Sequence, residues 1–275
     1  MNFFYESNLR RKFKKRVGYE LNLDNPQTYN EKMQWMKARY RDPLITRCAD
    51  KVAVRSYIAE KIGEEYLAPV YGVYDAVDAI DLDALPNEFV FKSNHASGHV
   101  ILCKDKSKMD WPKEFWKMKK WLLTNYFYTS GESYYRYIKP KIICEKLHPG
   151  EIIDYKFVCF NRKPQYLYAC SDRGKGTKIN FLDLEFKPLP FRKKELPKDN
   201  LKKPDNFEKM VELAGILAQD FPFVRVDFYD IEGKIYFGEL TFCPGGGLNP
   251  FVPPEWDLKI GEMMDLSLAK KEFVQ

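Results

Sequence analysis

Apolar residues recur at helical spacing in the N-terminal part of the chain. Met33, Met36 and Tyr40 follow this period and predict one amphipathic helix. Asp50 has the chemistry of an N-cap for a further helix that runs to Ile62. The N-terminal part of the chain is therefore expected to be mainly helical.

Shorter apolar runs, several of them alternating with polar residues, predict strands further along. The predicted strands are residues 89–92, 100–103, 137–145, 155–160, 165–170, 223–229 and 235–242. Helices are predicted at residues 111–126 and 207–219. The stretch 172–204 is rich in Lys, Gly and Pro, so we expect a mobile excursion that contains Asp172, Arg173, Lys175 and Lys178.

Charge adds one distinct feature. The chain has 275 residues, with 45 basic and 39 acidic side chains and a formal net charge of +6. Residues 10–16 hold basic side chains at every position except Phe13, so this segment equals the whole excess and the rest of the chain is balanced. This distribution argues against a broad nucleic-acid footprint.

The composition is that of a folded, soluble protein. No apolar run is long enough to cross a bilayer, and the first residues lack the apolar segment of a signal peptide. The six cysteines form no CxxC pair, which favours buried reduced thiols, and the three histidines lack zinc-ligand spacing. We therefore expect a cytoplasmic protein.

Charged residues converge on the last predicted hairpin. Side chains alternate along a strand, so Arg225 shares a face with Asp227, and Glu239 shares one with Thr241. A three-residue loop at 231–233 would set Arg225 opposite Glu239 with Asp227 on the diagonal. A two-residue loop would put the two acids on opposite faces.

Two readings of this hairpin stay open. Asp227 and Glu239 suit Mg²⁺, which typically takes one or two carboxylates together with substrate phosphates. The alternative is a cross-strand pair of Arg225 and Glu239 on a solvated face.

Lys92 is a second candidate. It ends a predicted buried strand and is followed by a loop of small polar residues, 93–99, whose backbone N–H groups suit a phosphate. The alternative is a lysine that faces solvent. For His95 and His99 in this loop, local hydrogen bonding is favoured over contact with a substrate.

The order of these segments resembles the ATP-grasp superfamily, and more closely its TupA-like branch, which is linked to teichuronopeptide and capsular polysaccharide synthesis. The resemblance extends from about residue 20 to Gly261. The segments that carry it are 25–32, 49–51 with Arg55, 89–92, 142–147, Asp154-Tyr155-Lys156-Phe157, 223–229 and 236–242.

The resemblance implies an α+β ATP-grasp fold, in which two α+β subdomains clasp ATP and a helical extension precedes them. The implied divisions are residues 1–48 for the extension, 49–144 for the first subdomain and 145–275 for the second.

The resemblance also implies roles for single residues. The implied phosphate-binding lysines are Lys51 and Lys92, the phosphate loop contains Ser93, Ser97 and Gly98, and the adenine-binding hinge is Glu145, Lys146 and Leu147. Asp227, Glu239 and Thr241 match the metal-ligand positions for one or two Mg²⁺ ions, although Thr241 stands where an asparagine is usual. Arg225 and Lys92 would act on the transferred phosphoryl group.

The implied activity is that of an ATP-dependent carboxylate–amine ligase that works through an acyl phosphate. By family analogy, its substrates are a carboxylate-bearing sugar or glycan of a cell-surface polysaccharide and an amine donor. A sugar phosphotransferase on the same fold is the alternative. A glycosyltransferase is disfavoured because the motifs indicate ATP and Mg²⁺ binding and not a nucleotide-sugar fold. A non-catalytic nucleotide-binding module is disfavoured by the presence of Lys92, Asp227 and Glu239 together. The basic run 10–16 is expected to be a solvated helix face, with peripheral contact to the inner membrane surface as a weaker hypothesis.

Overall fold

The computed structural model describes residues 3–148, 150–172 and 176–274. Within these ranges the chain is an α+β protein. The α-helices are α1 Phe3–Val17, α2 Tyr29–Arg39, α3 Pro43–Ala49, α4 Val54–Lys61, α5 Trp111–Leu123, α6 Phe127–Ser130, α7 Phe207–Ala218 and α8 Glu255–Met263. The strands are β1 Val70–Tyr74, β2 Phe89–Ser93, β3 Val100–Cys103, β4 Ile142–Lys146, β5 Asp154–Phe160, β6 Lys163–Ser171, β7 Lys178–Leu182, β8 Phe223–Ile231 and β9 Lys234–Thr241.

The chain folds into two compact units. One unit is formed by Met1–Asp42 together with Glu151–Gln275, and the other by Pro43–Gly150. The N-terminal helices α1 and α2 thus group with the C-terminal part of the chain. The boundaries predicted at residues 48 and 144 stay a prediction about functional subdomains.

The unit Pro43–Gly150 contains a four-stranded antiparallel sheet in the order β1-β4-β2-β3. The predicted hairpin of β2 and β3 is confirmed. Its core contains Phe89 and Phe91 from β2 and Met118 from α5. Strand β1 was not predicted, since it is short, lies at a sheet edge and is interrupted by Gly72 at an irregular pairing.

The other unit contains a five-stranded antiparallel sheet in the order β7-β6-β5-β8-β9. Helix α7 packs on one face of this sheet, where Phe207 contacts the ring of Phe157 at a centroid distance of 5.9 Å. The opposite face carries the charged residues described below. The sheet therefore has an apolar side that anchors it and a polar side that is available for chemistry.

The stretch 172–204 differs from the prediction of a mobile excursion. Residues 178–182 form β7, which pairs with β6 from Leu167↔Leu182 to Ser171↔Lys178 and completes the sheet. Its pattern of Lys, Gly and Pro hid a strand that pairs with β6, the strand that precedes it in the chain. Arg173 and Lys175 of this stretch lie outside the described residues.

The first two helices are fixed by local chemistry and by burial. Helix α2 begins with a capping box, in which Thr28 and Glu31 satisfy each other's backbone N–H groups. Helix α1 buries Leu9 and Phe13 against a small cluster that includes Leu21. All six cysteines are buried, as predicted. Among the described residues, no helix is long and apolar enough to cross a membrane.

Candidate active site

The hairpin of β8 and β9 brings the predicted acidic residues together, but in a register that differs from the prediction. Asp227 lies directly opposite Glu239, and Arg225 lies opposite Thr241. The predicted pairing of Arg225 with Glu239 across the strands is wrong. Both carboxylates nevertheless lie on the same face of the sheet, because two deviations from a regular hairpin cancel.

The first deviation is the turn, which has two residues instead of the predicted three. Ile231 pairs with Lys234, and Glu232 and Gly233 both have positive φ, 53° and 77°. Two successive positive φ values are typical of a type I′ turn, whose twist suits a hairpin. In a regular ladder this turn would place the two acids on opposite faces.

The second deviation is a β-bulge that restores the common face. Phe228 pairs with Phe237 while Asp227 pairs with Glu239, so Gly238 is the extra residue. A Cβ at Gly238 would lie 3.0 Å from the ring of Tyr229, so a larger residue at this position would require the ring to shift. A glycine inside a strand is the sequence signal that could have revealed the bulge.

Arg225 and the two carboxylates form one hydrogen-bonded cluster. The Nε of Arg225 donates to Asp227 Oδ1 at 2.7 Å. One terminal nitrogen of the same guanidinium donates both to Asp227 Oδ2 at 2.7 Å and to Glu239 Oε1 at 2.6 Å. Asp227 is fully buried, whereas the Glu239 side chain is 40% exposed. Burial opposes the charge of Arg225, but Asp227, Tyr168 and Glu239 together outweigh it and raise the pKa of Arg225.

Lys156 completes this cluster from the neighbouring strand. It lies opposite Asp227 on β5, and its Nζ donates to Asp227 Oδ2 and lies 3.6 Å from Asp154 Oδ1. Burial alone would lower the pKa of Lys156, but Asp227, Glu239 and Tyr168 together outweigh it and raise that pKa. Lys156 lies in one of the segments that carry the family resemblance, but no role was predicted for it. Its signal is the polar alternation of Asp154 and Lys156 within an otherwise apolar strand.

Tyr168 extends the cluster by one more strand. It lies opposite Lys156 on β6, and its hydroxyl accepts a hydrogen bond of 3.0 Å from Arg225. Tyr168, Lys156, Asp227 and Glu239 thus form a row across four neighbouring strands. Tyrosine in a strand is common in cores, so sequence reasoning had no reason to select it.

Asp227 and Glu239 are the carboxylates of this face that could hold a Mg²⁺ ion, although both oxygens of Asp227 accept hydrogen bonds from Arg225 or Lys156. Mg²⁺ typically takes one or two carboxylates together with substrate phosphates. The Thr241 hydroxyl donates to Glu239 Oε1 at 3.0 Å, so it supports this carboxylate. In the described part of the chain, no group of three or more His, Cys, Asp or Glu side chains is arranged to hold a metal.

The unit Pro43–Gly150 holds the predicted nucleotide-binding residues. Lys92 Nζ donates to Glu145 Oε2 at 2.7 Å, and Arg55 donates to Glu145 Oε1 at 3.3 Å. The side chain of Glu145 therefore joins this group, in addition to the adenine contact that the resemblance implies for Glu145. Lys146, which follows it, donates its backbone N–H to Pro69 O at 2.9 Å. Leu147, the third predicted hinge residue, comes directly after β4 and is partly buried.

The predicted phosphate loop is a tight connection between β2 and β3. Its base is closed by the Ser93 N–H, which donates to His99 O at 3.2 Å. The Lys51 ammonium donates to Ala96 O at 2.7 Å and so lies against the loop. Ser97 and Gly98 are exposed at its tip, and Gly98 has a φ of 78°, a conformation that glycine adopts without strain.

The two loop histidines make the local contacts that were favoured. His95 is hydrogen-bonded to Asn94 and to the carbonyl of Thr124, and His99 is hydrogen-bonded to Ser93. Burial lowers the pKa of His95 and lowers the pKa of His99 to about 4, so both are neutral at pH 7. Both histidines therefore serve to hold the loop.

Comparison with protein families decides the classification. The family described as "TupA-like ATPgrasp" matches residues 31–265, which is most of the chain. The chain belongs to the TupA-like ATP-grasp family. The two-sheet α+β architecture is accordingly that of an ATP-grasp protein, as the sequence analysis predicted.

Several solved ATP-grasp structures are similar to this TupA-like chain at low identity. The D-alanine–D-alanine ligase of Bacillus anthracis complexed with ATP is 18% identical, with a TM-score of 0.41 over 72% of this chain and 55% of that one. The L-amino acid ligase of Bacillus licheniformis is 13% identical, with a TM-score of 0.46 over 73% and 44%. The D-alanine–D-alanine ligase of Helicobacter pylori is 15% identical, with a TM-score of 0.43 over 87% and 68%.

The TupA-like chain thus spans about half the length of the first two of these proteins. No curated protein matches it.

Proposed function

We propose that this chain is an ATP- and Mg²⁺-dependent carboxylate–amine ligase that works through an acyl phosphate. The observation that carries the proposal is the buried cluster in which Arg225 and Lys156 meet Asp227 and Glu239. Membership of the TupA-like ATP-grasp family supports it.

On the nucleotide side, we assign phosphate binding to Lys51 and Lys92. Both ammonium groups lie at or beside the loop that connects β2 and β3. The exposed tip, Ser97 and Gly98, would cover the phosphates, with Ser93 at its base. Glu145, Lys146 and Leu147 at the end of β4 would contact adenine.

On the phosphoryl side, Arg225 and Lys156 supply fixed positive charge. Because Asp227 holds both cations in place, they need little reorganisation when negative charge develops on a transferred phosphoryl group. A Mg²⁺ ion at Asp227 and Glu239 would neutralise charge on the ATP phosphates. This reaction needs no covalent nucleophile from the enzyme, since in this reaction class the substrate carboxylate attacks the γ-phosphorus.

For the acceptor, we propose an acidic sugar of a cell-surface polysaccharide, joined to an amine such as an amino acid. This assignment rests on the family resemblance, because fold alone does not specify a substrate. We propose that the reaction takes place in the cytoplasm.

The test is an ADP-release assay with ATP, Mg²⁺, glycans that contain uronic acid and a pool of amino acids. Release of ADP that requires both the carboxylate and the amine supports the ligase. Phosphate found on a sugar hydroxyl would instead identify a phosphotransferase. Absence of turnover with every acceptor would leave only nucleotide binding.

We further propose peripheral contact of α1 with an anionic membrane. Five of the basic residues in 10–16 are exposed, and Phe4 on the same helix is 78% exposed. Each basic residue near an anionic surface adds about 1 kcal/mol of attraction at most, and salt screens it. Sedimentation with vesicles rich in phosphatidylglycerol should show binding at low salt that 0.5 M salt abolishes, because salt shortens the Debye length from about 30 Å at 0.01 M to about 3 Å at 1 M. Binding that is absent at low salt would refute the contact.

A further inference from the structure

One carboxylate in the unit Pro43–Gly150 bridges two cations from different elements. Glu145 on β4 accepts from Lys92 on β2 through Oε2, at 2.7 Å, and from Arg55 on α4 through Oε1, at 3.3 Å. Each oxygen of the carboxylate therefore has its own cation. Of these three residues, only Lys92 and Glu145 have roles in the proposed function, and the role of Glu145 there is one of contacting adenine.

Arg55 is held in a fixed position. Its second terminal nitrogen donates to Ala68 O at 2.8 Å, and the side chain is 23% exposed. Burial lowers the pKa of Arg55, and Glu145 partly offsets this. A cavity of ≈ 430 Å³ is lined in part by Arg55, Ala68 and Pro69.

The bridge places two cations around one planar group with two oxygens. Arginine and lysine recognise phosphate with the same charge-assisted hydrogen bonds that they make to a carboxylate. A phosphate group can therefore take the place of the Glu145 carboxylate between Lys92 and Arg55. The cluster carries one net positive charge in its present form and two when the carboxylate charge is removed.

We propose that Arg55 and Lys92 form a two-cation site for a phosphate group of the nucleotide, and that the Glu145 carboxylate occupies this site in the ligand-free chain. The inference rests on the proposed function, since it assumes that Lys92 meets phosphate. It adds Arg55 as a ligand and makes Glu145 an internal competitor of the bound anion.

The proposed site predicts that substitutions of Arg55 and of Glu145 have opposite effects on the affinity for phosphate groups. Arg55→Met removes a charge-assisted contact, so the Kd for inorganic tripolyphosphate and for ATP should rise about tenfold. Glu145→Gln removes the competing charge but keeps a similar shape, so tripolyphosphate should bind several-fold tighter. Arg55→Lys keeps the charge and should recover part of the lost affinity.

The experiment is isothermal titration of the full chain with tripolyphosphate and, separately, with ATP. The matched control is Glu60→Gln, which breaks the exposed pair of Arg47 and Glu60 at 2.8 Å in the same unit and should leave both Kd values unchanged. Melting curves of each variant report whether it is folded.

The outcomes separate the inference from the function beneath it. A wild-type chain that binds neither anion would refute the proposed function. A wild-type chain that binds both, with Arg55→Met unchanged, would refute only the two-cation site. Weaker tripolyphosphate binding in Glu145→Gln would show that the carboxylate positions Lys92 and does not compete, which also overturns the inference.

Discussion

Asp227 and Glu239 share a proposed role in metal binding, yet the structure predicts that their substitution has different effects on stability. Asp227 is fully buried and accepts two hydrogen bonds from Arg225 and one from Lys156. Asp227→Asn leaves two buried cations without their main counter-charge. Removing one partner of a buried pair costs about 3 kcal/mol or more.

Glu239 is in a different environment. Its side chain is 40% exposed, and it accepts one hydrogen bond from Arg225 and one from Thr241. Water can replace these contacts in part, so Glu239→Gln should cost about 1 kcal/mol or less.

Differential scanning calorimetry measures the contrast. For a protein of this size, each kcal/mol shifts the Tm by about 2–4 °C, so Asp227→Asn should melt about 6–12 °C below the wild type. Glu239→Gln should melt within about 4 °C of it. Both variants should lose Mg²⁺-dependent ATP turnover at a temperature where they are folded. Equal melting temperatures for Asp227→Asn and the wild type would refute the assigned charge balance.

Two further predictions concern the bulge and a buried lysine. Gly238→Ala places a Cβ 3.0 Å from the Tyr229 ring and should lower the free energy of unfolding by about 1–3 kcal/mol. In the control Gly215→Ala on α7, the new Cβ has only ordinary contacts, so the Tm should stay unchanged or rise. Equal effects of the two changes would contradict a required glycine at the bulge. Burial lowers the pKa of Lys193 to about 7. Between pH 7 and 10 the unfolded chain therefore binds a proton at this lysine that the folded chain does not, so the stability of the folded chain rises with pH. The Tm advantage of Lys193→Met over the wild type should therefore be largest at pH 7 and shrink towards pH 10; a constant difference would contradict this.

The sequence predicted the elements of the site better than their register. Alternation alone placed Arg225 beside Asp227 and Glu239 beside Thr241, because side-chain direction in a strand is a local property. The pairing between strands depends on the turn and on any bulge, and the two-residue turn combined with the bulge at Gly238 was not foreseen. Either irregularity alone would have separated the carboxylates.

Contacts between distant segments were the main omission. Lys156 reaches Asp227 only because β5 lies beside β8, and Arg55 reaches Glu145 only because α4 lies beside β4. In the sequence, Lys156 and Arg55 are ordinary charged residues, and residues of this kind are usually exposed to solvent. Strand β7 was missed for a different reason, since its pairing with the preceding strand β6 gives it order that its composition does not suggest.

The most direct test of the central claim is to trap the acyl phosphate with hydroxylamine, which replaces the unknown amine. The chain is incubated with ATP, Mg²⁺ and a glycan that contains uronic acid, and the products are measured by mass spectrometry. The account predicts a glycan hydroxamate in equal amount with ADP, formed by the wild type and not by Glu239→Gln. ADP release with phosphate on a sugar hydroxyl and no hydroxamate would contradict it.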